Sequence, residues 1–305
     1  MAFLGRNERK SMMTESALMY RPTTQTELLS MLGAYGDDAK LLAGGTAFTI
    51  LRKAGLLQPR HVISVMSLPD LSGIARTEGG VSIGALTRLR AIEHSARVRA
   101  DHPVLAAAVR LVANARVRNV ATLGGNVSEA DPTSDPPGVL VALDAVIHLV
   151  GPDAERDLLA AEFFSDYFET AIRSNEFVSR VVVPDLSPDW GGTYVKFLSR
   201  SAEDRTCIGV AAFSRLDEVG VCHGLRLAII GVGPVPLRIP AIENEAVGVR
   251  LDGQAMDRIV SAYVDASDPV TDVRGSADYR KRMMATLIPD AIARADHRSN
   301  DAVFA

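Results

Sequence analysis

The chain has 305 residues, of which 47% are apolar, and 33 Lys and Arg against 37 Asp and Glu give a formal net charge of −4. With this charge we expect no electrostatic attraction to nucleic acid or to an anionic membrane, and no apolar run reaches the roughly eighteen residues of a membrane span. The length predicts about two domains, and the apolar content is ample for packed cores.

The first predicted lobe, residues 18–65, is a small α/β unit that follows a flexible arm over residues 1–17. The arm carries charges without an apolar segment behind them, so it is not a secretory signal. Thr24 and Glu27 have the spacing of a capping box, which predicts that a helix begins there, and Gly36 predicts its end. Apolar runs at 40–43 and 61–65 predict two strands.

The second predicted lobe, residues 66–186, mixes short strands with helices, and a stretch rich in turn-forming residues then predicts a boundary before a C-terminal domain at 190–298. Within the second lobe we predict strands at 81–86, 145–150 and 177–183, and helices at 87–97 and 104–113. In the C-terminal domain we predict an antiparallel sheet at 194–199, 208–216 and 224–231, then helices at 256–266 and 277–295, the second bent at Pro289.

Two glycine pairs are the most informative motifs. Gly44-Gly45 follows a predicted strand and precedes a helical segment, and Gly124-Gly125 is flanked by the donors Thr122, Asn126 and Ser128. Glycine lets consecutive backbone amides approach and converge on an anion, and a helix start adds its positive dipole end. The pairs are therefore candidate halves of one phosphate site, although either pair alone is more often an ordinary tight turn.

Metal chemistry on this chain is not indicated. Cys207 and Cys222 are its only cysteines, whereas an iron–sulfur cluster needs about four thiolates. The six histidines are scattered without zinc-ligand spacing. A Rossmann nucleotide site is not supported either, because no G-x-G-x-x-G follows a strand.

Further motifs follow the glycine pairs in a fixed order, at 41–49, 81–87, 118–126, 131–136, 177–184, 194–197 and 276–283. In this order the chain resembles the FAD-binding medium subunit of the molybdenum hydroxylases, a family that includes aerobic carbon monoxide dehydrogenase and xanthine dehydrogenase. The resemblance covers about residues 18–294. It implies an α+β fold, with a two-lobed FAD-binding domain of the vanillyl-alcohol-oxidase/PCMH type followed by a C-terminal domain of an antiparallel sheet plus helices.

The resemblance also implies which residues contact FAD. The first pyrophosphate loop would be Leu42, Ala43, Gly44, Gly45, Thr46 and Ala47, and the second would be Thr122, Gly125 and Asn126. Asp135 would accept hydrogen bonds from the ribityl or adenosine hydroxyls, and Lys196 would lie near the flavin ring. Phe177 and Val178 would flank the adenine, and Arg205 replaces an aromatic residue that covers the flavin in several members. An Asp-Pro turn and a solvated strand lysine are the simpler interpretations of Asp135 and Lys196.

The implied function is an electron-transfer subunit that takes electrons from a [2Fe-2S] partner and passes them to an external acceptor. A large subunit with the molybdenum-pterin cofactor and a small subunit with [2Fe-2S] clusters would complete a dimer of heterotrimers. Its expected location is cytoplasmic, with contact to the inner face of the membrane only through the complex. Two alternatives remain open: a self-contained FAD oxidoreductase of the same fold superfamily, and a nucleotide-binding module without a redox role.

Overall fold

The computed structural model describes residues 17–201 and 204–296, so the predicted N-terminal arm lies outside the described residues except for its last position. The helices are α1 Gln25–Tyr35, α2 Thr46–Lys53, α3 Leu89–His94, α4 Ala96–Asp101, α5 Pro103–Arg110, α6 Ala115–Arg118, α7 Leu123–Glu129, α8 Asp135–Ala142, α9 Ala160–Phe163, α10 Pro240–Glu245, α11 Gly253–Ala266 and α12 Ala277–Arg294. Among these, no helix has the length and apolar character to cross a bilayer.

The strands form four sheets. In chain order they are β1 Leu18–Tyr20, β2 Ala39–Leu42, β3 His61–Ser64, β4 Ile74–Thr77, β5 Gly80–Gly84, β6 Val146–Val150, β7 Glu155–Leu159, β8 Phe164–Asp166, β9 Glu169–Thr170, β10 Phe177–Pro184, β11 Gly191–Phe197, β12 Ile208–Leu216, β13 Cys222–Ile230 and β14 Leu237–Arg238. Within residues 17–201 and 204–296, strands β8 and β9 pair only with each other. The other three sheets belong one each to the first lobe, the second lobe and the C-terminal domain.

The first lobe is a parallel sheet of order β1-β3-β2 with α1 packed on it. The predicted helix start is confirmed, because the Thr24 hydroxyl accepts a hydrogen bond from the Glu27 amide at 3.1 Å. The Glu27 carboxylate reaches back to the Thr23 amide at 2.7 Å. Leu28 and Leu32 are buried in the first-lobe core, so one face of the helix covers the sheet.

The second lobe is an antiparallel sheet of order β4-β5-β10-β6-β7 that packs against helices. The helix predicted at 87–97 is two helices, α3 and α4, because Ser95 ends the first and caps the second through its hydroxyl, 3.3 Å from the Val98 amide. Every residue of α8 is buried. This helix contacts β12 and β13, so it joins the lobe to the C-terminal domain.

The C-terminal domain contains the predicted antiparallel sheet, of order β11-β12-β13-β14, with α11 and α12 packed against it. Helix α12 is one element from Ala277 to Arg294 with Pro289 inside it. Trp190, before β11, contacts two guanidinium groups, those of Arg215 and Arg226, which are 5.8 and 5.2 Å from its ring centroid. The α+β fold is therefore as predicted, while the exact domain boundaries stay a prediction.

Candidate cofactor-binding cleft

A cleft of about 270 Å³ lies where the first lobe, the second lobe and the C-terminal domain meet. The cleft is partly open to solvent, and its volume lies just below the roughly 300–1,000 Å³ typical of small-molecule pockets. A long ligand would therefore extend beyond it. Most of the residues predicted to contact the cofactor line this cleft: Leu42, Ala43, Gly44, Gly45, Thr46, Ala47, Thr122, Gly125, Asn126, Asp135, Lys196 and Arg205.

The first glycine segment presents free backbone donors to the cleft. Gly45 has φ +71°, a left-handed conformation that favours glycine, and it turns the chain from β2 into α2 without a side-chain cap. Among the described residues, the backbone N–H groups of residues 44–48 have no hydrogen-bond acceptor. Together with the positive end of the α2 dipole, these donors suit an anion such as a diphosphate.

Gly44 has a different role from Gly45. A Cβ at Gly44 would lie 2.0 Å from the carbonyl oxygen of Val120 and 2.9 Å from the Cα of Ala121. The backbone of the first lobe therefore contacts the backbone of the second lobe directly at this point. Glycine is required here by the approach of the two lobes rather than by a ligand.

The second glycine segment was expected to offer free amides like the first, but its amides are bonded within the protein. The Leu123 amide donates to the carbonyl oxygen of Thr87 at 3.0 Å, and the Gly124 amide donates to that of Ala85 at 2.8 Å. The Gly125 amide donates to the Thr122 hydroxyl at 3.1 Å. The start of α7 is thus satisfied by the protein itself, because it is packed against the end of β5.

Gly125 and Asn126 remain as cleft surface on this side. Gly125 is exposed, and a Cβ there would be 3.8 Å from the Cβ of Ala43 on the opposite loop. The Asn126 amide donates to the Ser134 hydroxyl at 2.8 Å, whereas its Oδ1 atom is buried without a partner among the described residues. A buried acceptor without a donor indicates a missing polar partner, which a bound ligand can supply.

Asp135 and Lys196 form a buried ion pair in the cleft wall, with 2.9 Å between Nζ and Oδ2 and 4% exposure for each side chain. The Asp135 carboxylate also accepts hydrogen bonds from Tyr194 at 2.6 Å and Thr206 at 2.7 Å, and Lys196 donates to the carbonyl oxygen of Leu111 at 2.8 Å. Burial raises the pKa of Asp135, against the opposing effect of Lys196 and the two hydroxyls. The simpler interpretations, a plain turn and a solvated lysine, therefore do not describe these residues.

Arg205 lies at the mouth of the cleft, 48% exposed, with its guanidinium 3.2 Å from the Asp131 carboxylate. Asp131 also accepts from the amide and hydroxyl of Thr133, at 2.9 and 2.7 Å. The ion pair therefore joins Arg205 of the C-terminal domain to Asp131 of the second lobe across the opening of the cleft. The guanidinium is thus held by Asp131 while about half of the side chain stays exposed at the opening.

Phe177 and Val178 do not line the cleft. Both are buried in β10, where Phe177 packs with the first-lobe core and Val178 with the second-lobe core. Their contact with the adenine stays a prediction, since a long ligand would extend beyond this cleft. Conversely, sequence reasoning did not select several lining residues, namely Leu89, Val112, Val117, Glu129, Asp131, Ser134 and Asp204. Of these residues, only Asp131 and Ser134 lie in one of the motifs that carry the resemblance, the motif at 131–136. Glu129 lies just before this motif, and no other feature of the sequence indicates it.

Two family models match the chain. The FAD binding domain in molybdopterin dehydrogenase matches residues 11–186, and the CO dehydrogenase flavoprotein C-terminal domain matches residues 193–295. The free amides of residues 44–48, the Asn126 Oδ1 atom without a partner among the described residues, and the Gly125 surface fit a dinucleotide in the cleft. FAD is therefore the cofactor of this chain.

Individual relatives agree. The chain is 32% identical to the carbon monoxide dehydrogenase medium chain of Hydrogenophaga pseudoflava, covering 90% of this chain and 96% of that one. It is 28% identical to the xanthine dehydrogenase FAD-binding subunit of Escherichia coli O157:H7, covering 93% and 97%. The structure matches carbon monoxide dehydrogenase from Hydrogenophaga pseudoflava lacking the Mo-pyranopterin moiety, with TM-score 0.88, 32% identity, and 93% and 98% coverage. The chain therefore belongs to the family of FAD-binding medium subunits of the molybdenum hydroxylases and is a component of an oxidoreductase.

Proposed function

We propose that the chain is the electron-transfer subunit of a multi-subunit molybdenum hydroxylase. It takes electrons from a [2Fe-2S] partner chain and passes them to an external acceptor. FAD supplies the redox chemistry, and the protein holds the cofactor and controls access to it. The observation that carries this proposal is the open cleft with free amides at the start of α2, because a diphosphate held there leaves one side of the cleft accessible to a partner.

The roles proposed for the cleft residues follow from their contacts. The amides of residues 44–48 bind the diphosphate, and Gly125 and Asn126 form the opposite surface. Asp135 and Lys196 bind each other, so they form a rigid polar wall rather than an acid and a base ready to act on a substrate. Arg205 controls the opening through its ion pair with Asp131.

Partner chains are needed for the remaining redox centres. The chain has only Cys207 and Cys222, and both are buried. Across residues 17–201 and 204–296, no group of three or more His, Cys, Asp or Glu side chains could hold a metal ion. We infer a large molybdenum-binding subunit and a small [2Fe-2S] subunit in a cytoplasmic dimer of heterotrimers, supported by relatives that are named medium chain and FAD-binding subunit.

The isolated chain is expected to be catalytically incomplete. Its FAD should be bleached by dithionite, but not by carbon monoxide or by purines, aldehydes and N-heterocycles, because Asp135 is paired with Lys196 and Asp131 with Arg205 in the cleft, which leaves neither pair to act on a substrate. Anaerobic stopped-flow absorbance measures this directly. Adding a molybdenum subunit and an iron–sulfur subunit from the same source should restore bleaching by the substrate of that complex.

Two experimental results would contradict the proposed function and favour one of the two alternatives. Direct bleaching of the pure single chain by an organic substrate would identify a self-contained FAD oxidoreductase. A purified chain that binds FAD but neither accepts electrons from the reduced partner subunits nor passes them on would be a binding module without a redox role.

FAD is expected to be bound without a covalent link. The cleft-lining residues include no histidine or cysteine that could attach to the ring. Acid precipitation should therefore leave a yellow supernatant and a colourless pellet, measured by absorbance near 450 nm. Colour that stays with the protein after denaturation would contradict this prediction.

A further inference from the structure

Four carboxylates line the cleft, and three of them already have partners. Asp135 binds Lys196, Tyr194 and Thr206, and Asp131 binds Arg205 and Thr133. Asp204 accepts a hydrogen bond from the Arg205 amide at 2.7 Å and has Arg274 at 3.9 Å. These three side chains are held by the protein, so little of their acceptor capacity is left for a ligand.

Glu129 is the exception. It is the last residue of α7, half-buried in the cleft wall between the Gly125 surface and Asp131. Among the described residues, no donor or cation lies within hydrogen-bond or ion-pair distance of its carboxylate; Lys40 and Arg205 act on it only at longer range. Both carboxylate oxygens therefore remain available in a cleft whose other acids are engaged.

We propose that Glu129 binds a sugar hydroxyl of FAD, the role that the family resemblance implied for Asp135, whose carboxylate is already occupied by Lys196, Tyr194 and Thr206. An ionised carboxylate can only accept hydrogen bonds, and the diphosphate carries no donor at neutral pH. The ribityl chain and the ribose supply hydroxyl donors, and an acid on a ribose hydroxyl is a common feature of dinucleotide sites. The inference rests on the binding of FAD in this cleft.

The role depends on the ionisation of Glu129. Burial and the neighbouring Asp131 raise its pKa above the ordinary value, and Arg205 and Lys40 oppose them. Protonation as the pH falls through this raised pKa removes the anionic acceptor. FAD affinity is therefore expected to be full above this pH and to decrease below it.

The test measures FAD binding to the apoprotein of the full chain at pH values from 5 to 8. The quenching of flavin fluorescence reports the binding. Glu129→Ala should raise the Kd for FAD at pH 7.5 by about ten- to hundredfold, as expected for the loss of a hydrogen bond to a charged group. Glu129→Gln keeps an acceptor oxygen, so it should bind with a smaller loss. It should also lose the decrease in affinity at low pH that the wild type shows.

Controls separate this effect from misfolding and identify the sugar. Glu218→Ala removes an exposed carboxylate from a turn away from the cleft and should bind FAD as the wild type does. Far-UV circular dichroism checks that each variant is folded. Binding of FMN and of ADP assigns the contact, because FMN carries the ribityl chain and ADP carries the ribose.

Three results would overturn the inference. Unchanged FAD affinity in Glu129→Ala would show that the carboxylate makes no contact. Tighter binding in Glu129→Gln, with affinity that rises as the pH falls in the wild type, would show that Glu129 repels the diphosphate instead. A wild-type apoprotein that does not bind FAD would overturn the proposed cleft itself, and this outcome is distinct from the other two.

Discussion

Replacing Gly125 with valine is expected to remove most FAD binding while the chain stays folded. The new Cβ would lie 3.0 Å from the Thr122 hydroxyl and 3.8 Å from the Cβ of Ala43, so the side chain fills the gap between the two loops. The bound state would carry a clash of the size that core overpacking causes, about 1–3 kcal/mol, which corresponds to about a 5- to 150-fold higher Kd. The flavin-to-protein ratio after purification and FAD titration of the apoprotein measure the loss.

Gly33→Val is the matched control, because Gly33 is also an exposed glycine within a helix and a Cβ there meets nothing within 4 Å. It should keep the wild-type flavin content. Gly45→Val is a poorer test, since φ +71° at that position strains any other residue whether or not a ligand is present. If Gly125→Val retained a full complement of FAD with an unchanged circular dichroism spectrum, this side of the cleft would not face the cofactor.

Asp135→Ala is expected to have the largest effect on stability, lowering the free energy of unfolding by about 3–5 kcal/mol. The substitution leaves the Lys196 ammonium buried without its counter-ion, and it also removes the acceptor for the Tyr194 and Thr206 hydroxyls. Because these three donors belong to the C-terminal domain and Asp135 belongs to α8, the loss weakens the contact between the two domains. Urea unfolding of the apoprotein, followed by circular dichroism, measures the change.

Asp185→Ala provides the comparison. Its carboxylate pairs with Arg76 at 2.6 Å through Nη2, but the two side chains are 36% and 44% exposed. A surface pair of this kind contributes about 0–1 kcal/mol. Equal losses for the two substitutions would mean that burial of the Asp135–Lys196 pair has no energetic consequence, contrary to our interpretation.

Local chemistry made much of the fold predictable from sequence. The N-cap at Thr24 depends on residues within one turn, and the strands of the C-terminal sheet show in predominantly apolar runs. The Gly45 turn into α2 is also local, since a strand, a left-handed glycine and a helix follow one another directly. These elements needed no knowledge of distant contacts.

The rest of the site depends on contacts between distant parts of the chain. The first amides of α7 are satisfied by the carbonyl groups of Thr87 and Ala85, 36 and 39 residues earlier, so the sequence around Gly124 alone resembles a free anion loop. The partners of Asp135 lie 59 to 71 residues away. For Phe177, the sequence does not indicate whether the side chain faces a core or the cleft. In the structure it packs in the first-lobe core.

Gly44 rests against the Val120 carbonyl without any side chain between them. The separation of the two loops at this point is therefore fixed by main-chain atoms. Over evolutionary time, neighbouring side chains such as Thr46 and Ala47 could be exchanged to retune affinity for the cofactor without altering this separation. Position 44 itself has no such freedom, because even a methyl group would push the lobes apart.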